Sequence, residues 1–151
     1  MQKIIYSGKT VDRLMWEEKS KEDVVRSAMT KGVLAFDKDK TVLEAAKSMS
    51  KLNVGSFLVI DKKKNPVGII TERDILSKVI ASELDPKNVR ICDVMSAPIT
   101  SVDADETISN ALLTMGMKGI KHLVVQEKGE VVGMFSLSSL IDIEKRALDI
   151  R

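Results

Sequence analysis

The sequence FLVIDKKKNPVGIIT (residues 57–71) joins two short apolar runs through a polar turn. The sequence LVVQEKGEVVGMFS (residues 123–136) does the same in the second half of the chain. Continuous apolar runs of this length, bounded by turn residues, are typical of strands that are covered on both faces. The two stretches therefore predict a pair of adjacent strands in each half of this chain of 151 residues.

Both stretches belong to a longer internal repeat, because residues 29–61 align with residues 95–127 at a constant shift. Along this alignment, Met29, Asp37, Asp39, Thr41, Ala45, Met49 and Val59 fall on Met95, Asp103, Asp105, Thr107, Ala111, Met115 and Val125. Removing one residue from the loop then places Val67-Gly68 on Val132-Gly133. We interpret the chain as two copies of one structural unit.

Each copy predicts the same order of elements. A first strand (residues 33–36 or 99–102) precedes an amphipathic helix that opens near Asp39 or Asp105, and the two strands and a helix from Thr71 or Ser136 follow. The fold class is therefore α/β (α+β), with β-α-β-β-α occurring twice. Because so small a unit buries its sheet poorly alone, we expect the copies to pack sheet to sheet as a pseudo-twofold pair around one shared core.

The repeats divide the chain into four parts. We predict an N-terminal extension (residues 1–23), a first repeat (24–82), a second repeat (89–143) and the end of a C-terminal helix (144–151). The boundary falls in the polar stretch that contains Pro86. In the extension, Thr10 is a candidate cap for a short helix that carries Val11 and Leu14. The C-terminal helix carries more apolar side chains than one exposed face needs, which favours a dimer contact.

Composition excludes several classes of function. The 24 basic and 22 acidic side chains give a net charge of +2, which is too balanced for a nucleic-acid or anionic-membrane partner. No apolar stretch is long enough to span a bilayer, and the lone Cys92 fits a reducing compartment, so we expect a soluble cytoplasmic protein. The chain has one histidine and one cysteine, and it has no motif for a nucleophile, a phosphate loop or a metal. We therefore expect no catalysis, no catalytic cofactor and no metal site.

The junction between the last strand and the last helix of the first repeat carries the strongest local signal. Gly68 permits close approach of a ligand or a backbone, Thr71 presents a hydroxyl, and Asp74 projects a carboxylate one turn later. A carboxylate can accept two hydrogen bonds from a vicinal diol such as that of ribose. The same Thr-x-x-Asp spacing also suits a capping box, in which Thr71 and Asp74 bond each other. The residues by themselves leave both interpretations open.

Together with the repeat, the segment from Gly68 to Asp74 resembles the ribose motif of CBS domains. The chain from about residue 24 to 143 resembles a tandem CBS pair, or Bateman module, and the segments at Met29, Met95, 53–61 and 119–125 are similar to those of the family. The resemblance implies a regulatory module that binds an adenine nucleotide in a cleft between the repeats. It also implies a homodimer that signals to a separate effector protein.

The resemblance implies one complete cleft. Asp74 would accept the ribose hydroxyls, Ile69, Ile99 and Ile120 would enclose the adenine, and the backbone near Thr100 would read the base edge. Thr71 and the helix start would meet phosphate, with charge from Lys121 and His122. The predicted first cleft comprises Gly68, Ile69, Thr71, Arg73, Asp74, Ile99, Thr100, Ile120, Lys121 and His122.

The second cleft departs from the family pattern because Ser139 stands where the acid is expected. A serine hydroxyl cannot hold a diol as a carboxylate does, so we expect this cleft to be empty, weaker or fitted to another ligand, with the serines acting as helix caps. Its predicted members are Val33, Leu34, Val54, Gly55, Ser56, Met134, Ser136, Ser138 and Ser139.

AMP is the ligand that these residues favour, and ADP and ATP fit if their added phosphates reach Lys121, His122 or Arg73. S-adenosylmethionine and methylthioadenosine share the adenine and the ribose but leave Lys121 without a partner. The alternative of another class is a ligand-free scaffold for dimerisation or protein interaction, which the absence of an acid at Ser139 favours for one cleft.

Overall fold

The computed structural model describes residues 5–6, 9–10 and 23–142. Its strands are β1 (Ile5–Tyr6), β2 (Lys9–Thr10), β3 (Thr30–Lys31), β4 (Ala35–Asp37), β5 (Ser56–Ile60), β6 (Pro66–Thr71), β7 (Ser101–Asp103), β8 (His122–Glu127) and β9 (Glu130–Ser136). Its helices are α1 (Val25–Ala28), α2 (Val42–Leu52), α3 (Glu72–Ile75), which a π-helical turn (Leu76–Ile80) continues, α4 (Ile91–Val94), α5 (Ile108–Lys118) and α6 (residues 137–142). None of the helices in these ranges is long and apolar enough to cross a membrane.

The predicted order of elements is confirmed in both repeats. In the first repeat, β4 pairs in parallel with β5, and β5 pairs antiparallel with β6. The second repeat has the same arrangement of β7, β8 and β9, to which β3 adds a fourth strand. The segments at residues 57–71 and 123–136 form the two predicted strand pairs, in which Leu58 lies opposite Ile69 and Val124 opposite Met134.

The N-caps of the long helices lie two residues after Asp39 and Asp105. Thr41 caps α2 in a capping box, since its hydroxyl accepts from the Glu44 amide at 3.2 Å and its own amide donates to the Glu44 carboxylate at 2.8 Å. Thr107 caps α5 by accepting from the Asn110 amide. Asp39 lies in the preceding turn. The first strands are displaced in the same way, since they begin at residues 35 and 101 rather than 33 and 99.

The prediction of one shared core is wrong, because the buried apolar residues form two clusters. The first contains Val42, Ala45, Met49, Phe57, Val59, Ile70, Val79, Ile91 and Val94, and the second contains Val25, Ala28, Ala104, Ala111, Met115, Leu123, Val125 and Phe135. Successive strand residues face opposite sides of a sheet, so Leu58 and Val124 lie on the faces opposite the clusters. They are also buried, as expected where the two sheets cover each other.

The short helix before each repeat packs on the other repeat. The Val25 amide donates to the carbonyl of Glu106 at 2.8 Å, and Val25 belongs to the core of the second repeat. The Ile91 amide donates to the carbonyl of Lys40 at 2.9 Å, and Ile91 belongs to the core of the first repeat. Each packing unit therefore combines one sequence repeat with the helix that precedes the other.

Two glycines allow the chain to cross between the repeats. Strand β3 pairs with β9, and a Cβ atom on Gly133 would lie 2.5 Å from the carbonyl oxygen of Thr30. The equivalent contact in the first repeat joins Ile69 and Ser96 by two backbone hydrogen bonds of 3.0 and 2.8 Å. There, a Cβ on Gly68 would lie 2.8 Å from the sulfur of Met95. Gly68 therefore serves close packing of the chain against itself.

Parts of the predicted organisation lie outside the described residues. Thr10 is the last residue of the short strand β2, but Val11 and Leu14 fall in the undescribed range 11–22. The C-terminal helix is described only from residue 137 to 142, and residues 144–151 lie outside.

Candidate ligand-binding clefts

Two cavities lie at the junction of the repeats. The first encloses about 360 Å³ and the second about 380 Å³, and both volumes fall within the range of small-molecule sites. Each cavity is lined by the strand-to-helix junction of one repeat and by the start of a central strand of the other. The pseudo-twofold arrangement therefore produces two clefts of similar size but different chemistry.

Most of the residues predicted for the first cleft line its cavity. They are Ile69, Thr71, Arg73, Asp74, Thr100, Ile120, Lys121 and His122. Sequence reasoning missed six further lining residues, which are Glu72, Ser77, Lys78, Ser96, Pro98 and Gly119. A signal for some of them existed, since Ser77 and Lys78 follow Asp74 by one helical turn and thus share its side of the helix.

Gly68 and Ile99 do not line the first cleft. The backbone of Ser96 and the side chain of Met95 cover Gly68, whereas Ile99 lines a separate cavity with Pro66 and Val131. Adjacent residues of an extended chain face opposite sides, so Thr100 faces the cleft and Ile99 faces away. The predicted role of Ile99 as a wall for adenine is therefore wrong, and Pro98 lines the cleft beside Thr100 instead.

The Asp74 carboxylate is buried at the wall of the first cleft, with 4% of the residue exposed. Its Oδ2 accepts from the amide and the hydroxyl of Thr71, both at 3.0 Å. Its Oδ1 accepts from the hydroxyl of Ser96 at 2.9 Å and pairs with the ammonium of Lys78 at 2.8 Å. A carboxylate has about four acceptor positions, so groups of the protein itself occupy all of them.

Thr71 and Asp74 form the capping box that was one of the two interpretations of the sequence. Besides the two contacts to Oδ2, the hydroxyl of Thr71 accepts from the Asp74 amide at 3.2 Å. Both donors of Thr71 are therefore engaged, and the predicted contact of Thr71 with a phosphate has no free donor. The basic groups that line the cleft are Arg73, Lys78, Lys121 and His122, in the part of the chain that the structure describes.

His122 lies between the two clefts and lines both. A Cβ on Gly55 would lie 3.3 Å from its Cε1, so the ring sits against the backbone of the opposite repeat. Burial lowers the pKa of His122 below its usual value, and Lys121 acts in the same direction, whereas the carboxylates of Glu72 and Asp74 oppose the shift. The imidazole is therefore favoured in its neutral form.

Replacing His122 with glutamine is expected to flatten the dependence of stability on pH. A histidine whose pKa is lowered by folding contributes stability above its unfolded pKa of about 6.5. That stability is lost as the pH falls through the folded pKa, because the unfolded chain then binds the proton more readily. Urea unfolding at a series of pH values, from about 7.5 downward, measures the effect. A wild-type chain that loses no more stability than the His122→Gln variant would contradict the assignment.

The second cleft is lined by all but one of its predicted residues. These are Leu34, Val54, Gly55, Ser56, Met134, Ser136, Ser138 and Ser139, and the structure adds Thr30, Gly32, Asn53, His122 and Asp142. Val33, which is equivalent to Ile99, does not line the second cleft, because adjacent residues of an extended chain face opposite sides and Leu34 faces the cleft.

The serines of the second cleft bond one another at the start of α6. Ser139 is 6% exposed, and its Oγ accepts from the amide of Ser136 at 3.2 Å. The hydroxyl of Ser136 also lies 2.9 Å from that of Ser138. This geometry supports the capping role expected for the serines. Asp142 and His122 are the ionisable residues among those described as lining this cleft, so a ligand phosphate has no lysine or arginine there.

The described residues contain no group of three or more histidines, cysteines or acids that could hold a metal ion. Of the two clefts, only the first has a buried carboxylate among its described lining residues.

Two β-α-β-β-α repeats that exchange their leading helices and enclose two clefts define a tandem module of paired α/β domains. A family model described as the CBS domain matches residues 23–81 and again residues 91–146. The chain therefore belongs to the CBS-domain family. Proteins of this family are generally regulatory rather than catalytic.

The chain is similar in sequence or in structure to several other proteins. An uncharacterized protein of Methanopyrus kandleri is 32% identical over 113 residues, which are 74% of this chain and 58% of that protein. The chain thus spans little more than half the length of this relative. The crystal structure of an uncharacterized conserved protein from Pyrococcus horikoshii has a TM-score of 0.78 and 29% identity, over 83% of this chain and 95% of that one. A hexameric CBS-CP12 protein from bloom-forming cyanobacteria has a TM-score of 0.72 and 26% identity, over 78% of this chain and 69% of that one.

Proposed function

We propose that this chain is a regulatory module that binds an adenine nucleotide in its first cleft and passes the change to a separate protein. The observation that carries the proposal is the buried Asp74 carboxylate on the wall of a cavity of about 360 Å³ formed by both repeats. A ligand that touches both repeats can bind one arrangement of them better than another, which is what regulation by a ligand requires.

The chemistry of the lining favours a nucleoside monophosphate. Ile69 and Ile120 offer apolar contact to a flat base, and Asp74 offers a carboxylate to a sugar diol. Lys121 borders the same cavity and offers positive charge to one phosphate, and the neutral ring of His122 beside it can donate one hydrogen bond. AMP meets all of these groups, ADP and ATP add charge that Arg73 can balance, and S-adenosylmethionine or methylthioadenosine would leave the lysine unused.

Thermal unfolding in the presence of ligands tests the proposal. A ligand present at a hundred times its Kd stabilises the folded chain by about 2.7 kcal/mol, which raises the melting temperature measurably. AMP, ADP, ATP, S-adenosylmethionine, methylthioadenosine and adenosine would be compared at equal concentration. We expect the largest shift from AMP.

Replacing Asp74 with alanine is expected to remove most of the shift that AMP causes, because the diol loses its acceptor. The shift is measured within each variant, so any change in stability without ligand cancels. Ser139→Ala is the matched control, since it alters the equivalent buried position of the second cleft and should leave the shift unchanged. An equal shift in the Asp74→Ala variant would place the ligand elsewhere.

A second candidate function, a ligand-free scaffold, is favoured by one observation. All acceptor positions of Asp74 are filled by protein groups, so the first cleft is satisfied without a ligand. Helix α5 and the π-helical turn also expose Met117, Leu113 and Leu76, which suits a homodimer contact. No thermal shift with any adenine compound, together with a dimer by light scattering, would favour this function over nucleotide binding.

A further inference from the structure

Lys78 holds the oxygen of Asp74 that an incoming diol needs. Oδ2 belongs to the capping box with Thr71, which also fixes the start of α3. Oδ1 is held by Lys78 and by Ser96, and the side chains of both line the cleft. A ligand can therefore reach Asp74 with least disturbance at Oδ1, by displacing the ammonium or the hydroxyl.

Displacement of Lys78 is feasible because its side chain is 44% exposed. Water and salt screen the ammonium, but the carboxylate side chain is only 6% exposed, so the pair gives way to a group that itself bonds the carboxylate, as a diol does. The released ammonium remains at the cleft, where an anion on the ligand can replace the lost carboxylate. A neutral nucleoside offers no such replacement.

The sequence pairs this lysine with the acid. In the second repeat the position of Asp74 is taken by Ser139 and the position of Lys78 by Ile143. The repeat without the acid thus also lacks the lysine. This pattern is expected if the lysine is present to pair with the carboxylate and is not merely a solvent-exposed charge.

Lys78 also connects the cleft to α4. Its ammonium donates to the carbonyl of Val94 at 2.9 Å, and Val94 is the last residue of the helix that closes the core of the first repeat. Lys78 itself lies in the π-helical turn, where the Ala81 amide donates to the Leu76 carbonyl. π-helical turns are rare and frequently occur at functional sites.

We propose that the Lys78 ammonium competes with the ligand for the Asp74 carboxylate. This competition makes the first cleft select phosphorylated over neutral nucleosides. It also couples ligand binding to the packing of α4, because the same ammonium bonds the Val94 carbonyl. This inference rests on the proposed function and deepens it. On binding, the Lys78 ammonium exchanges the carboxylate for the phosphate of the ligand and releases the carbonyl of Val94.

Calorimetric titration of the full chain with adenosine and with AMP tests the selectivity. In Lys78→Met we expect adenosine to bind about fivefold more tightly than in the wild type, because its competitor is gone. The preference for AMP over adenosine should fall as well, because both ligands escape the competition but only AMP loses a cation for its phosphate. A merely structural lysine would weaken both ligands together.

Lys121→Met is the matched control. It should reduce the affinity for AMP and leave that for adenosine unchanged, because Lys121 has no contact with Asp74 among the ion pairs of the described chain. Unchanged or weaker adenosine binding in Lys78→Met would overturn the selectivity that we propose.

Hydrogen exchange separates the inference from the proposed function. Without ligand, Lys78→Met should exchange faster than the wild type in peptides that cover residues 76–95, because α4 loses its tie. AMP should produce the same change in the wild type. If no adenine compound binds, the proposed function and the selectivity both fail, and the tie to α4 is judged by the ligand-free comparison alone. Equal exchange in the two ligand-free chains would overturn that tie.

Discussion

Gly133→Ala is expected to lower the free energy of unfolding by about 3 kcal/mol, at the upper end of the cost of overpacking. The added Cβ would lie 2.5 Å from the carbonyl oxygen of Thr30 and 3.0 Å from the sulfur of Met29. The sulfur can move aside, but the carbonyl belongs to the strand β3 that pairs with β9. The pairing must therefore open, and the segment that joins the repeats must shift. Urea unfolding monitored by circular dichroism measures the change.

Gly116→Ala is the control for this prediction. Gly116 lies within α5, and a Cβ there would meet no atom within 4 Å. Alanine forms helices better than glycine, so this variant should be more stable by up to about 1 kcal/mol. The same substitution is thus expected to act in opposite directions at two sites of one repeat. An unchanged free energy of unfolding in Gly133→Ala would show that the Thr30 carbonyl of β3 lies farther from Gly133 than the structure has it.

Ile91→Ala is expected to lower the free energy of unfolding by about 2 to 5 kcal/mol, as is usual when a large buried apolar side chain is truncated. Ile91 has no exposed surface and lies in the core of the first repeat, although it precedes the second repeat in the sequence. The cavity left by the truncation would therefore lie in the core that also contains Phe57 and Ile70.

The location of the damage distinguishes the exchanged packing from a simple succession of domains. Hydrogen exchange should accelerate more in β5 and β6 than in β8 and β9 of the Ile91→Ala variant. Val25→Ala is the mirror-image control, because Val25 is fully buried in the second core and should affect β8 and β9 more. Acceleration confined to β8 and β9 in Ile91→Ala would mean that α4 packs on the repeat that follows it.

The repeat and its order of elements were predictable because they depend on local patterns. Apolar runs around Val59 and Val125, interrupted by a turn, indicate paired strands wherever they occur. The segment from Gly68 to Asp74 placed a carboxylate at a strand-to-helix junction, and the structure has it at the wall of a cleft. These features needed no knowledge of distant contacts.

The boundaries of the first strands, and the faces that their residues occupy, were harder to predict. Residues 33–36 and 99–102 satisfy an extended pattern as well as the observed strands do. A strand has a period of two residues, so assigning a side chain to the wrong face is enough to remove it from a cleft. The resemblance implies that both Ile99 and Thr100 belong to the cleft, whereas Pro98 and Thr100 line it and Ile99 lines a separate cavity.

The exchange of α1 and α4 was not predictable from local patterns. A helix of four residues has one buried face in either arrangement, so Val25 and Ile91 look the same whichever core they enter. The contacts of Lys78 and Ser96 with the Asp74 carboxylate were not predicted, in part because one of them depends on distant parts of the chain. The lysine is four residues away and within reach of helical spacing, but Ser96 is brought there by the crossing between repeats.

The exchanged helices also determine what happens when the chain is cut. Cleavage in the stretch around Pro86 would leave each fragment with a helix made for its counterpart and with an uncovered core of its own. Neither fragment is then a self-sufficient domain, but the two are complementary and should reassemble when mixed. By the same geometry, a long-lived partly unfolded chain can recruit the missing helix from a neighbouring molecule, which makes entangled dimers a natural by-product of refolding at high concentration.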